Sequence, residues 1–329
     1  MRTLTQRELN RALLARQGLL ERRALPLPDA LDAMGGLQAQ YAPSMYVGLW
    51  SRVAGFERDA LTRALHEREV VQATLMRSTI HLVSRADYWP LAIAVREARR
   101  ESWRRATKRG DLSEHVPKLR AALRDGPAKR KDLEALLGKD VWHGIGLWVD
   151  MVRVPPSGTW ERRRADLFAL AEDWLGPPDV DADAALDHLV TRYLTGFGPA
   201  SRAEIANWAG TAVDPALERL ELRRFAAEDG TELFDLPDAP LPDPDTPAPV
   251  RFLGTWDALL LAHARRAAIL PEEHREKVFH VRMPQSIGTY LVDGVVAGTW
   301  KPDGTLTAFE GEPSAAVREE FARLMAFCA

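Results

Sequence analysis

The order of periodic segments predicts a mainly α-helical chain with β wings. It reads as three tandem winged-helix (helix-turn-helix) modules followed by a small C-terminal β-barrel-like domain. Three observations carry that expectation. The plan helix, short helix, helix, hairpin recurs three times before residue 237. The segment Pro237–Pro249 then holds six prolines, three aspartates and no basic residue. Beyond it the pattern changes to short strands separated by Asp-Gly turns. A chain of 329 residues has room for several such small modules.

In the first module, 1–109, Leu9, Leu13, Leu14 and Leu20 fall near helical spacing over Thr5–Leu20, with Thr5 and Glu8 as a capping box. Helices are expected at Leu27–Leu37 and Pro43–Val53. Val70–Val83 is rich in β-branched and apolar residues and reads as a hairpin turning at Arg77–Thr79. A long helix, Arg85–Arg109, follows. The second module, 110–180, repeats the plan with helices at Ser113–Arg124, Ala128–Leu137 and Val141–Met151. Its hairpin is Val152–Phe168, turning around Pro155–Gly158. In the third, 181–236, the helices are Ala184–Thr195, Ser201–Trp208 with a Ser201/Glu204 capping box, and Pro215–Leu222. The hairpin Phe225–Leu236 turns at Asp229–Gly230. The repeat is one of pattern, without self-similarity at a fixed period. Prolines fix φ and remove backbone donors, so 237–249 reads as an extended, semi-rigid linker. In 250–329, strands are expected at His280–Met283, Gly288–Val292, Val295–Trp300 and Thr305–Phe309, before a closing helix at Pro313–Ala326.

Composition narrows the class of activity. Hydrophobic residues make up 46% of the chain and charged residues 28%, enough for a sizeable core. The single cysteine, Cys328, excludes an internal disulfide framework and fits a reducing, cytoplasmic setting. Arginines interrupt the opening stretch, and no run of about 18 uncharged apolar residues occurs, so neither a signal peptide nor a membrane span is expected. The net charge of −3 hides a strong asymmetry. Residues 1–164 carry 30 Lys and Arg against 19 Asp and Glu; residues 165–329 carry 14 against 28. A basic half attracts polyanions whatever the total. Its steepest stretch, Arg96–Arg109, has seven basic and two acidic residues. It reads either as a solvated helix face or as a phosphate-contacting one, with Arg99, Arg100 and Arg104 as the candidates.

The histidines are scattered, with no His-x₃-His or Cys-x₂-Cys spacing, and no Walker loop, GxGxxG or GxSxG appears. No metal or cofactor is expected. The unusual stretch is Gly35–Val53, with Gln38 and Gln40 two apart. On a helix, i and i+2 diverge by about 200°; in extended backbone they face one side. The pair can act together only at a helix end or in a loop, and Pro43 places a break nearby. Spacing alone favours the plainer reading, two glutamines on the polar face of a helix-turn-helix. Arg77, Thr79 and His81 similarly share one side of a strand, or else form the solvated face of a wing.

Four segments together, GLQAQYAPSMYVGLW (36–50), VVQATLMRSTIHLV (70–83), GTWDALLLAH (254–263) and YLVDGVVAGTW (290–300), resemble the AlkZ-like winged-helix DNA glycosylase family. They occur in order over nearly the whole chain. The resemblance implies a C-shaped array of three winged helices and a C-terminal β domain. It places Gln38 and Gln40 on the family's Gln-x-Gln catalytic motif, the branch similar to enzymes that unhook DNA interstrand crosslinks. Thr79 and His81 then lie on the wing that probes the lesion, with Arg77, Tyr41 and Ser44 as further DNA contacts. Where the family often has Asn after an aspartate and Asp before an arginine, this chain has Ala258 and Arg265. The implied activity is monofunctional hydrolysis of the N-glycosidic bond of N7-alkylated purines, by a nucleoid-associated monomer acting on duplex DNA. No lysine precedes Lys108, which argues against a Schiff base. The competing expectation is a non-catalytic winged-helix DNA-binding protein or regulator; a third is a fold that now binds a partner or small ligand. Gln-x-Gln in its register separates the first reading from the second.

Overall fold

Capping and glycine placement set where the helices begin and end. A computed structural model of the chain describes residues 1–107, 110–261, 268–279 and 286–329. Its first part runs β1 (Arg2–Leu4), α1 (Gln6–Arg16), α2 (Leu27–Met34), β2 (Leu37–Gln38), α3 (Ala42–Arg52), α4 (Arg58–His66), β3 (Val70–Thr74), β4 (Ile80–Ser84) and α5 (Arg85–Thr107). There follow α6 (Val116–Leu123), β5 (Ala128–Lys129), α7 (Arg130–Leu137), α8 (Lys139–Ile145), β6 (Met151–Arg153), β7 (Leu167–Leu170) and α9 (Ala171–Leu175). Then come α10 (Ala182–Phe197), α11 (Arg202–Ala209), α12 (Asp214–Arg219), β8 (Arg223–Ala227) and β9 (Glu232–Asp235). Beyond the proline-rich segment lie β10 (Arg251–Leu253), α13 (Ala258–Leu261), α14 (Arg275–Val278), β11 (Thr289–Val292), β12 (Val295–Trp300), β13 (Leu306–Ala308) and α15 (Ala315–Cys328). The expected strand at His280–Met283 and the position Arg265 lie outside the described residues, apart from which the expected C-terminal strands and helix appear within a residue or two.

The fold is mixed α/β, with helices packed on largely antiparallel sheets. Both capping boxes form: Thr5 with Glu8 before α1, and Ser201 with Glu204 before α11. The helix expected over Leu27–Leu37 stops at Met34, because Gly35 adopts a left-handed φ of 73° and closes it. Leu37 and Gln38 are thereby released into a strand. The helix expected over Val141–Met151 ends at Ile145, and Met151 opens β6 instead. The second hairpin is looser than expected, since residues 154–166 form a loop around Pro155 and Pro156, which have no N–H to give a ladder.

Strands cross the divisions drawn at 109/110 and 180/181. The order β2-β4-β3-β6-β7-β5 forms one six-stranded sheet, joined by β3 pairing with β6 (Gln72 opposite Arg153, Ala73 opposite Val152). At the N-terminus, β1 pairs in parallel with β8, far away in sequence, making the sheet β1-β8-β9. A four-stranded antiparallel sheet, β10-β11-β12-β13, carries α15 against it. The main core runs through α1, α5, α10, α11 and the β3–β4 hairpin, with Leu13, Val71, Val95, Tyr193 and Trp208 buried in it. Among the described residues no helix is long and apolar enough to cross a membrane.

The segment 237–249 has no regular structure, yet it is fastened down. Prolines lack donors but keep their carbonyls, and α1 supplies arginines to meet them. Arg7 Nε donates to Pro244 O at 3.0 Å, Arg11 Nε to Thr246 O at 2.7 Å and Arg16 Nη2 to Pro240 O at 3.1 Å. Arg16 also makes a buried two-pronged pair with Asp235 of β9, at 2.6 and 2.9 Å. Arg223 of β8 joins them, donating to the same carboxylate at 2.6 Å. Removing one partner of such a pair strands the other charge in the core. Asp235→Ala is therefore expected to cost about 3–5 kcal/mol, read as a lower urea midpoint with an unchanged m-value; a loss below about 1 kcal/mol would show that Arg16 and Arg223 find other acceptors.

Candidate active site

Two glycines prepare the site. Gly35 and Gly36 both take positive φ, 73° and 76°, and turn the chain out of α2. A Cβ on Gly36 would sit 3.0 Å from Val83 Cγ1 and 3.1 Å from the Leu82 carbonyl, so the turn lies directly on β4. Leu37 and Gln38 then pair with Leu82 and His81 of β4. Ala39 N–H donates to the Ile80 carbonyl at 2.7 Å, and the Gln40 side-chain oxygen accepts the Ile80 N–H at 2.7 Å. Both glutamines thus come from backbone lying along one strand, not from a helix. Gln38 is buried at 5% exposure, whereas Gln40 is exposed beside the start of α3.

Gln38 lies directly opposite His81, so their side chains leave the same face of the sheet. His81 is 3% exposed, with Nδ1 3.1 Å from the Thr79 carbonyl. That contact requires Nδ1 to be the donor and leaves Nε2 as an acceptor. Burial, reinforced by the charges of Arg77 and Arg99, pushes the His81 pKa down to about 3, so the ring is neutral near pH 7. At the hairpin tip, Arg77 and Ser78 hold φ of 52° and 58°, a region side-chain-bearing residues seldom adopt. The tip is clamped: Arg77 donates to Gln38 Oε1 at 3.3 Å and to the Trp208 carbonyl at 3.2 Å, near the C-terminus of α11. Gly210, which caps α11, lies against the Arg77 backbone; a Cβ placed on it would meet Arg77 N at 3.5 Å. Thr79 Oγ1 turns back to the Met76 carbonyl at 3.1 Å.

The structure therefore gathers Gln38, Gln40, Arg77, Thr79 and His81 around β4, closed on one side by α11. Tyr41 is exposed next to Gln40, and its hydroxyl accepts from Arg163 at 3.2 Å. Ser44 is turned away, with Oγ 2.6 Å from Thr255 Oγ1 in the C-terminal part. The three candidate arginines of α5, Arg99, Arg100 and Arg104, do not share a face. Arg99 donates to the Thr74 carbonyl of the hairpin at 2.9 Å; Arg100 reaches the Leu147 carbonyl at 2.8 Å; Arg104 lies 3.8 Å from Asp111, over Trp148. Two further arginines lie beside these elements without being singled out by spacing: Arg163 on the Tyr41 hydroxyl, and Arg153 on the Thr74 hydroxyl at 3.0 Å. The Arg162–Arg164 run is a visible signal for Arg163; for Arg153, a lone arginine in a short strand, there is none. Among the described residues no three His, Cys, Asp or Glu side chains come together as a metal site.

What this arrangement offers is neutral amide chemistry: carboxamides and an uncharged imidazole, with a guanidinium on Gln38 and no carboxylate among the gathered side chains. Residues 31–327 match the family described as DNA glycosylase AlkZ-like. The chain belongs to the AlkZ-like DNA glycosylase family. It is accordingly a DNA repair glycosylase, with DNA as its partner. Its fold is similar to that of Streptomyces sahachiroi DNA glycosylase AlkZ, at a TM-score of 0.82 and 18% identity, over 99% of this chain and 97% of that one. Among curated proteins none matches the chain.

The neutral His81 of this AlkZ-like chain has a stability signature. Its folded pKa lies below the unfolded value, so the unfolded state binds more protons between about pH 6.5 and the folded value of about 3. Stability from this group is complete above about pH 6.5 and falls as pH drops through that window, by about 2 kcal/mol at pH 5. His81→Asn should flatten the fall between pH 7.5 and 5 in urea titrations. An identical slope in parent and variant would mean that the ring is solvated.

Proposed function

We propose that this glycosylase hydrolyses the N-glycosidic bond of N7-alkylated purines in duplex DNA, using a water positioned by Gln38 and Gln40. The same chemistry extends to unhooking interstrand crosslinks formed at purine N7. The observation that carries the reading is the placement of both amides along β4, with Gln38 opposite the neutral His81 and Gln40 on the Ile80 N–H.

Glutamine does not titrate near neutrality and cannot serve as a general base of ordinary strength. The substrate lowers the demand for one. Alkylation at N7 makes the base cationic and a good leaving group, and bond breaking moves positive charge onto the sugar. Amide oxygens aimed at that carbon stabilise the developing cation and orient the attacking water. Each Oε1 has two lone pairs, so the contacts with Arg77 and with the Ile80 N–H leave one for the water. The product is an abasic site without a covalent enzyme intermediate. A neutral His81 suits the site, because an imidazolium would oppose the cationic base and sugar. In this reading the three helix–hairpin units are winged helices that cradle the duplex, the last domain is barrel-like, and the enzyme works as a cytoplasmic, nucleoid-associated monomer without a cofactor.

The test is base release from N7-alkylguanine and crosslinked duplexes, read as alkali-labile sites. Gln38→Ala and Gln40→Ala should each slow excision by about 10²–10³-fold while DNA affinity stays near that of the parent. Excision at the parental rate in both variants removes the amide pair from the mechanism. A parent inactive on every such lesion overturns the assignment of N7-alkylated purines as the substrate class.

A further inference from the structure

Most buried arginines of this protein are neutralised by a carboxylate. Arg16 has Asp235, Arg52 has Asp257 at 2.8 Å, and Arg11 has Asp293. Among the described residues Arg77 and Arg251 depart from that rule, bonding only carbonyl and amide oxygens, and two further half-buried arginines without a carboxylate partner lie together. Arg99 of α5 and Arg153 of β6 line a cleft of about 460 Å³ between the tip of the β3–β4 hairpin and the second helix–hairpin unit. Among the described residues neither has an ion-pair partner. Both are held by Thr74: Arg99 Nη1 donates to its carbonyl at 2.9 Å, Arg153 Nη1 to its hydroxyl at 3.0 Å. The Nε of each is buried and makes no hydrogen bond.

The acidic groups on the cleft wall have partners of their own. Asp150 pairs with Arg96 at 2.7 Å, and Asp166 lies 3.7 Å from Arg164. Arg130, also on the wall, lies 3.2 Å from Glu134. The cleft therefore concentrates guanidinium groups beyond what its carboxylates offset. Burial, the largest cause, pushes both Arg99 and Arg153 down to about 10. Like charge from neighbouring arginines adds to it, and for Arg99 the carboxylate of Asp150 opposes it without cancelling it. Such an arrangement is costly in the empty protein and is relieved by an anion. Planar guanidinium forks match the oxygens of a phosphate.

Position identifies the source of that phosphate. Ser78 and Ile80 also line the cleft, and Ile80 is the residue whose N–H is held by Gln40. We propose that this cleft is a phosphodiester subsite in which Arg99 and Arg153, preset by Thr74, grip a backbone phosphate of the damaged strand close to the lesion. The closeness to the lesion rests on the assignment of Gln38 and Gln40 above; the phosphate site does not.

The experiment is a salt titration of affinity for duplex with and without the lesion, using the full chain, by fluorescence anisotropy. Arg99→Gln/Arg153→Gln should weaken binding about tenfold at low salt and lower the slope of log K against log salt by about 0.9, one phosphate's worth. Arg99→Lys/Arg153→Lys keeps the charges but loses the forks, so the slope should stay parental while affinity falls. Without DNA, the glutamine pair should melt at or above the parental temperature, because two unpaired charges have left a poorly solvated cleft. An unchanged slope and affinity overturn the proposal. So does a drop of several degrees in melting temperature with no change of slope, which marks the arginines as packing groups. Gln38→Ala belongs in the same series. If it excises normally while the arginine pair loses its slope, the amide assignment falls and the phosphate site stands.

Discussion

The pairing of Leu37 and Gln38 with Leu82 and His81 is the constraint on which the candidate site depends. Two residues of strand are too short to be stable alone. They hold because Gly35 and Gly36 turn the chain onto β4, and because Ala39 and Gln40 extend the contact to both polar groups of Ile80. A shift of one residue would carry Gln38 to the opposite face of the sheet, away from His81. Arg77 secures the other end of the hairpin, reaching Gln38 on one side and the end of α11 on the other. The site is thus assembled from segments more than one hundred residues apart, and its geometry is only as firm as that docking.

Electrostatics shapes the same assembly. The basic first half and the acidic second half attract one another, and much of that charge is spent inside the molecule. Arg11 and Arg16 of α1, Arg22 and Arg52 meet Asp293, Asp235, Glu320 and Asp257 respectively, each pair crossing from one half of the chain to the other. The asymmetry of the sequence therefore overstates the field that DNA would meet. What counts for a polyanion is the set of arginines left without carboxylates, and Arg99 and Arg153 stand out in that set. The α5 arginines show the point within one helix: Arg99 turns to the hairpin, while Arg100 and Arg104 turn toward Trp148.

Local rules written in the sequence determined a good deal. Both capping boxes, the β3–β4 hairpin, the Asp229–Gly230 turn, and the last strands and helix follow from spacing, side-chain shape and turn chemistry, which act over a few residues. Gln38 and Gln40 stand out by their spacing, together with the condition that extended backbone is needed for them to cooperate. The helix α4 (Arg58–His66) is absent from the expected elements, although Leu61, Ala64 and Leu65 give it the apolar spacing of one.

Tertiary structure alone decided the rest. No local signal tells three residues at the N-terminus to pair with β8, or β3 to pair with β6, because those choices depend on what the folded chain brings within about 5 Å. Nor can spacing say whether Gln38 ends a helix or lies along a strand, since Leu37 suits either and only the left-handed turn at Gly35 settles it. Whether an arginine is a buried clamp, a surface charge or an unpaired cation depends on which carboxylate arrives beside it. That partner is commonly far away in sequence, as Asp235 is from Arg16, and among the described residues the lack of an ion pair at Arg99 and Arg153 becomes visible only when the folded chain is in place.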